Sequence, residues 1–205
     1  MTHLDTDSYY SSNAQSYFSK TKSLDSSGFL LPFAGKLKVD DPVLDLGCGS
    51  GRDLLWLKTK GFQPTGVEKS RELARLARDY SGCHVIEGDY RTFDFSGIYA
   101  KGILFSASLV HVPHIQVEAA IQNTLRALKN GGFVYISLKK GQGIKYDLDQ
   151  RIFYLWEDGD ARMLFDALGL KTLYFQESVS VRNTEEIWLS YSMSYEINHD
   201  AETEE

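Results

Sequence analysis

The chain has 205 residues, a formal net charge of -6, and 42% hydrophobic and 24% charged residues. That is the length of one domain spanning 1–205 and the composition of a globular protein, and no apolar run approaches the roughly 20 residues a membrane span needs. The negative balance argues against a nucleic-acid partner, whose phosphates require clustered Lys and Arg, and the polar start MTHLDTDSYYSSNAQS lacks an apolar signal core, so a cytoplasmic protein with no membrane partner is expected.

The first 40 residues are rich in Ser, Thr and Tyr and read as peripheral, with 1–35 a lid or cap segment. Residues 43–46 form a short apolar strand that runs into a glycine-rich turn. A helix follows over 52–60 and stops at Gly61, and 65–67 is a second strand. Ser70 suits the N-cap of a helix whose Leu73, Leu76, Ala77 and Tyr80 share one apolar face. Strands over 84–87 and 98–105 come next. A helix from about 114 to 128 buries Val117, Ile121, Leu125 and Leu128 and ends at Asn130-Gly131-Gly132. A fifth strand covers 133–138.

This alternation predicts right-handed βαβ units and a doubly wound, mostly parallel sheet in a three-layer α/β sandwich of Rossmann type. Beyond Leu138 the rhythm changes. A helix is expected over 156–168, then two long strands, 170–180 and 186–195, joined at Arg182-Asn183-Thr184 as a closing antiparallel hairpin. Residues 198–205 read as an acidic, frayed tail.

The strongest local signal is VLDLGCGSGRD, residues 43–53. A buried strand delivers Asp45, then glycines at 47, 49 and 51, then a helix start whose free N–H groups face outward. Glu68 ends the next strand, where an acid can take both hydroxyls of a ribose. The dinucleotide fingerprint is G-x-G-x-x-G, but the spacing here is G-x-G-x-G, and the acid Asp45 near the loop suits an ammonium group better than a pyrophosphate. The pattern points to an amino-acid-bearing nucleoside. Cys48 and Cys83 have no metal-ligand spacing, no metal site is expected, and Cys48 between two glycines serves as a small side chain.

These segments resemble the class I S-adenosylmethionine-dependent methyltransferases. VLDLGCGSGRD is similar to their motif I and GVEKS, with Glu68, to their motif II. EGDYRTFDF resembles the segment in which an acid, here Asp89, meets the adenine. SASLVHVP and LRALKNGGFVYISLKKG are similar to the fourth- and fifth-strand regions of small stand-alone bacterial members, and Arg151 and Phe153 to an Arg-x-Phe element of that branch. Ala100-Lys101 and Leu104 depart from it, which bears on substrate identity more than on cofactor binding.

The resemblance implies an enzyme that moves a methyl group from S-adenosylmethionine to a small-molecule acceptor and releases S-adenosylhomocysteine. It implies a cofactor site around Gly47, Gly49, Glu68, Asp89, Tyr90, Phe105, Ser106 and Tyr17, to which the neighbouring Cys48 and Lys69 are added. Asp45 either meets the cofactor ammonium or holds the glycine loop, and Arg52 either guards the cofactor carboxylate or is simply exposed at the helix start. On the acceptor side it implies His111, with Tyr10, Asn13 and Tyr17 in the lid. Lys139 and Arg151 follow the fifth strand as further acceptor-side candidates, and Phe153, Tyr154 and Trp156 either line an acceptor pocket or, in part, belong to the core. An NAD-dependent oxidoreductase and a non-catalytic nucleoside-binding module are the rival readings.

His111 is either a general base that orients or deprotonates the acceptor, or a loop residue bonded to backbone just before Pro113. His114 opens a helix and reads as exposed. Lys139, Lys140, Lys145 and Arg151 form either a collar for an anionic acceptor or a solvated face.

Overall fold

The computed structural model describes residues 6–149, 151–182 and 184–196. The expected acidic tail at 198–205 and the turn residue Asn183 lie outside them. Three helices come first: α1 (Thr6–Ser12), α2 (Ala14–Thr21) and α3 (Ser27–Ala34). The alternating part follows as β1 (Pro42–Leu46), α4 (Arg52–Thr59), β2 (Gln63–Glu68), α5 (Arg71–Ser81), β3 (His84–Glu87), β4 (Ala100–Phe105), α6 (His114–Leu125) and β5 (Leu128–Lys139). A small hairpin, β6 (Ile144–Tyr146) and β7 (Ile152–Tyr154), precedes α7 (Asp158–Ala167), β8 (Leu170–Val179) and β9 (Ile187–Tyr195).

The main sheet has the order β3-β2-β1-β4-β5-β9-β8. The first five of these strands are parallel, and β9 runs antiparallel between β5 and β8. This is the expected Rossmann-like sheet with a C-terminal antiparallel hairpin. Strand order reverses between β1 and β4, and in open α/β sheets ligands bind beyond the strand ends at that point. The strands there are buried on both faces: Leu46, Ile103, Leu104 and Phe105 are fully inaccessible. Each such side chain contributes roughly 1.5–3 kcal/mol.

Local chemistry explains the elements. The Ser70 hydroxyl caps α5 by accepting from the Leu73 N–H, and the helix ends at Gly82 with φ +62°. At Gly51, with φ +75°, an added Cβ would lie 2.9 Å from the backbone of Ala77, so only glycine lets α4 start this close to α5.

Four expectations need correction. The N-terminal 40 residues are not all peripheral, because Leu30 and Phe33 of α3 are fully buried against Val43, Leu104 and Tyr135. The helix α6 stops at Leu125, and β5 begins at Leu128, with the residues between the Ala100–Leu128 and Gly102–Phe133 pairs bulging out. The last helix starts at Asp158 rather than 156, since Trp156 bridges to Lys140. The β6–β7 hairpin was not expected at all. Among the described residues, no helix is long and apolar enough to cross a membrane.

Candidate active site

The end of β1 sets the first wall. Asp45 is buried, and its Oδ2 has no hydrogen-bond partner. Burial, reinforced by the neighbouring Asp53, pushes its carboxyl well above the usual range. Gly47 follows with φ +72°; a Cβ there would come within 2.7 Å of the Ser108 Cβ. At Gly49 a Cβ would come within 3.2 Å of the Tyr17 ring, so Tyr17 of α2 lies directly on the glycine loop.

Glu68 ends β2 and is buried. Its Oε2 accepts from the Gly49 N–H at 2.9 Å and its Oε1 from the Ser70 N–H at 2.8 Å. One carboxylate thus joins the glycine loop to the start of α5. Asp89 accepts from Arg91 and lies 3.2 Å from Lys69 Nζ. Burial alone would raise its carboxyl; the Arg91 hydrogen bonds outweigh that and hold it at about 2. The Tyr90 ring meets Phe105 edge-on at 5.7 Å, and Asn123 fixes the Tyr90 carbonyl at 3.1 Å.

These groups border a cavity of about 370 Å³, lined by Gly47, Gly49, Glu68, Lys69, Asp89 and Tyr90 among others. A second cavity of about 350 Å³ lies on the other side of the β4 end, between α2, β5, β9 and the β6–β7 hairpin. Both volumes fall in the range of small-molecule sites. The two cavities share Tyr10, Tyr17, Gly47, Gly49, Ser106, Ala107 and His111. Ala107 has φ +56°, an unusual backbone for a residue with a Cβ, and its N–H donates to Ser137 Oγ at 2.8 Å. Strain of this kind is held only where the surroundings dictate it.

His111 stands at the junction. Its Nδ1 lies 2.6 Å from the Ile152 carbonyl, which can only accept, so Nδ1 carries the proton. Nε2 then accepts from the Tyr10 hydroxyl at 2.9 Å. Burial pulls the imidazole down to about 4. Arg151 donates to Tyr10 Oη at 3.5 Å and pairs with Asp147 at 2.5 Å. Tyr9 Oη donates to Asp149 at 3.1 Å, and Thr6 Oγ1 accepts from the Ile152 N–H. The helix α1 is therefore tied to the β6–β7 hairpin across both cavities.

Asp53 is the anchor of the second cavity's floor. Arg52 pairs with it at 2.8 Å, and the hydroxyls of Ser26 and Ser106 also donate to it. Burial would raise its carboxyl, but Arg52 and these donors bring it below the ordinary range. Lys139 is 4% exposed, lies 2.7 Å from Glu186 Oε1 and sits 3.5 Å above the centre of the Phe153 ring. Burial lowers its pKa against the opposing pull of Glu186.

Most expected site residues gather here, with six departures. Asp45 is buried at the end of β1 and lines neither cavity. Phe105 is fully buried with Leu109 and Val117 and lines neither cavity. Asn13 is exposed, and its amide bonds back to the Tyr9 carbonyl. Trp156 is core, edge-on to His114 at 4.7 Å. Arg52 and Cys48 line the second cavity rather than the first. Of the expected cationic collar, Lys140 pairs with Glu177 and Lys145 is exposed beside Glu186, and neither lines a cavity. His114, expected exposed, is exposed but bonds the Leu155 carbonyl.

Phe29, Tyr135, Ser137, Glu186, Trp188 and Ser190 line the second cavity and were missed. The one available signal was a serine at buried positions of the strands β5 and β9.

Residues 43–132 match the family described as a methyltransferase domain. No curated protein matches the sequence. Among solved structures, Burkholderia thailandensis 1,6-didemethyltoxoflavin-N1-methyltransferase superposes with a TM-score of 0.77 at 18% identity, over 93% of this chain and 87% of that one. A TehB-like SAM-dependent methyltransferase from Corynebacterium glutamicum gives 0.71 at 20% identity, over 90% and 99%. A SAM-dependent methyltransferase from Methanosarcina mazei gives 0.71 at 19%, over 80% and 97%. At these identities the likeness is one of fold.

Proposed function

From the premise that the chain carries a methyltransferase domain on the class I S-adenosylmethionine-dependent methyltransferase fold, we propose that it transfers a methyl group from S-adenosylmethionine to a small-molecule acceptor. The observation that carries this reading is the meeting of two cavities at Gly47, Ser106, Tyr10 and His111. The glycine loop borders both, and the ribose-type acid Glu68 lines only one of them.

The residues of the first cavity fit the cofactor. Asp45 lines neither cavity, but it is buried at the end of β1 just before the glycine loop, and an ammonium group held near its unpartnered Oδ2 would favour the ionised carboxylate. Glu68 would hold the ribose hydroxyls, kept in orientation by Gly49 and Ser70. Asp89 and Tyr90 would flank the adenine with Lys69 nearby, and Tyr17 would close over the glycine loop.

S-adenosylmethionine, when bound, supplies an activated methyl group on a sulfonium centre. The protein's task is then alignment and exclusion of water. Ser106, held by Asp53, stands between the cavities. Tyr10 and His111 seal the junction. His111 acts there as a positioning group, since its Nε2 is occupied by Tyr10 and its imidazole stays neutral at physiological pH. Neighbours that are small-molecule methyltransferases, such as the toxoflavin enzyme, support an acceptor of that size.

The test is incubation with methyl-labelled S-adenosylmethionine and a filtered small-molecule extract. Label in a small molecule, lost with Glu68→Ala, is the expected result. Label that appears only on protein or RNA would contradict it.

A further inference from the structure

The second cavity is closed to net charge. Four cations line it, Arg52, Lys139, Arg151 and Arg182, together with four carboxylates, Asp53, Asp147, Asp149 and Glu186. Three of the cations, the half-buried Arg52 and the buried Lys139 and Arg151, are already paired inside it: Arg52 with Asp53 at 2.8 Å, Lys139 with Glu186 at 2.7 Å and Arg151 with Asp147 at 2.5 Å. Arg182 is exposed at the β8–β9 turn, where water screens it. An anion entering this space would lose its hydration and meet no uncompensated buried cation.

The remaining lining is aromatic and hydroxylic. Phe29, Tyr135 and Trp188 present rings. Ser137 and Ser190 present hydroxyls, and Tyr135 Oη lies 3.1 Å from Ser190 Oγ. Hydroxyls donate or accept as required and so suit uncharged polar edges. The mouth differs from the interior. Leu148, Val179 and Val181 line the same cavity and are 104%, 64% and 45% exposed. One exposed aliphatic residue is ordinary, but three around one opening form an apolar rim. The mouth of the first cavity is instead bordered by Lys69, Asp89 and Arg91.

We propose that the methyl acceptor is an uncharged, amphipathic ring compound. Its flat polar head lies among Tyr135, Trp188, Ser137 and Ser190, and its apolar arm leaves over Leu148 and Val179. This rests on the methyltransferase reading and narrows it: the expected anionic acceptor is replaced by a neutral one, because the collar's cations inside the cavity are neutralised within the fold.

The test uses two dyes with one ring skeleton on the full chain saturated with S-adenosylhomocysteine. N-phenyl-1-naphthylamine is neutral, and 1-anilinonaphthalene-8-sulfonate carries a sulfonate. The neutral dye should bind saturably, with fluorescence enhancement, about tenfold or more tighter than the sulfonate. The Leu148→Asp variant, at a fully exposed position that cannot unfold the chain, should weaken the neutral dye several-fold and leave the thermal shift by S-adenosylhomocysteine unchanged. A sulfonate that binds as well or better, no binding of either dye, or an indifferent Leu148→Asp would overturn the proposal. Absence of any thermal shift by S-adenosylhomocysteine would instead count against the methyltransferase reading itself.

Discussion

The Tyr10 hydroxyl donates to His111 Nε2 across 2.9 Å, and the two residues stand 101 positions apart in the chain. That bond ties the N-terminal helix to the loop after β4 at the point where the two cavities join. Tyr10→Phe removes the hydroxyl and keeps the ring packed against Tyr17. Turnover should fall about tenfold, the loss of roughly 1.4 kcal/mol of alignment, with affinity for S-adenosylhomocysteine within threefold of the parent. Steady-state kinetics and calorimetry would read the two separately. Unchanged turnover would remove the bond from the mechanism.

Glu68 has two duties that two substitutions can separate. Glu68→Ala abandons the N–H groups of Gly49 and Ser70, and should cost about 1–3 kcal/mol of stability as well as cofactor affinity. Glu68→Gln keeps an acceptor oxygen for one of them. It should recover much of the stability while binding stays more than tenfold weaker. Denaturant unfolding with and without S-adenosylhomocysteine checks both.

Asp45 is a carboxyl raised by burial, so the folded state holds its proton more tightly than the unfolded one. Stability from that proton is present at low pH and lost as pH rises through the folded value. At neutral pH the ligand-free protein therefore carries a penalty that Asp45→Asn should remove, raising its Tm by a few degrees. The same substitution should weaken S-adenosylhomocysteine. A variant with lower Tm and unchanged affinity would contradict this account of Asp45.

For His111 the sign is opposite in pH. Its folded value, about 4, lies below the ordinary 6.5, so the unfolded chain binds the extra proton between them. Stability is fully present above about pH 6.5 and falls as pH drops toward 4. His111→Gln should flatten that slope, by on the order of 2 kcal/mol across the window. Melting curves at a series of pH values would show it.

Much of this was legible in the residues. A buried run into Gly47, Gly49 and Gly51 allows few structures, so β1, the loop and α4 were read within a residue of their bounds. The first cavity follows, because it is built from short loops at successive strand ends. The helix α3 was lost because Ser26, Ser27, Gly28 and Pro32 break its propensity, and only the burial of Leu30 and Phe33 against the sheet sustains it. Phe105 lines neither cavity because its ring is fully buried behind Tyr90, which it meets edge-on, and strand periodicity alone does not report that layer. The second cavity was least legible. Ser137, Glu186 and Ser190 converge only through the antiparallel pairing of β5 with β9, which no local pattern reports.

The central claim is best tested by melting curves with S-adenosylhomocysteine and, separately, NAD. At about 100 times its dissociation constant, a ligand adds roughly 2.7 kcal/mol, a rise on the order of 5–10 °C for a chain of this size. The account predicts that rise with S-adenosylhomocysteine and none with NAD. A rise with NAD alone, or with neither, would contradict it.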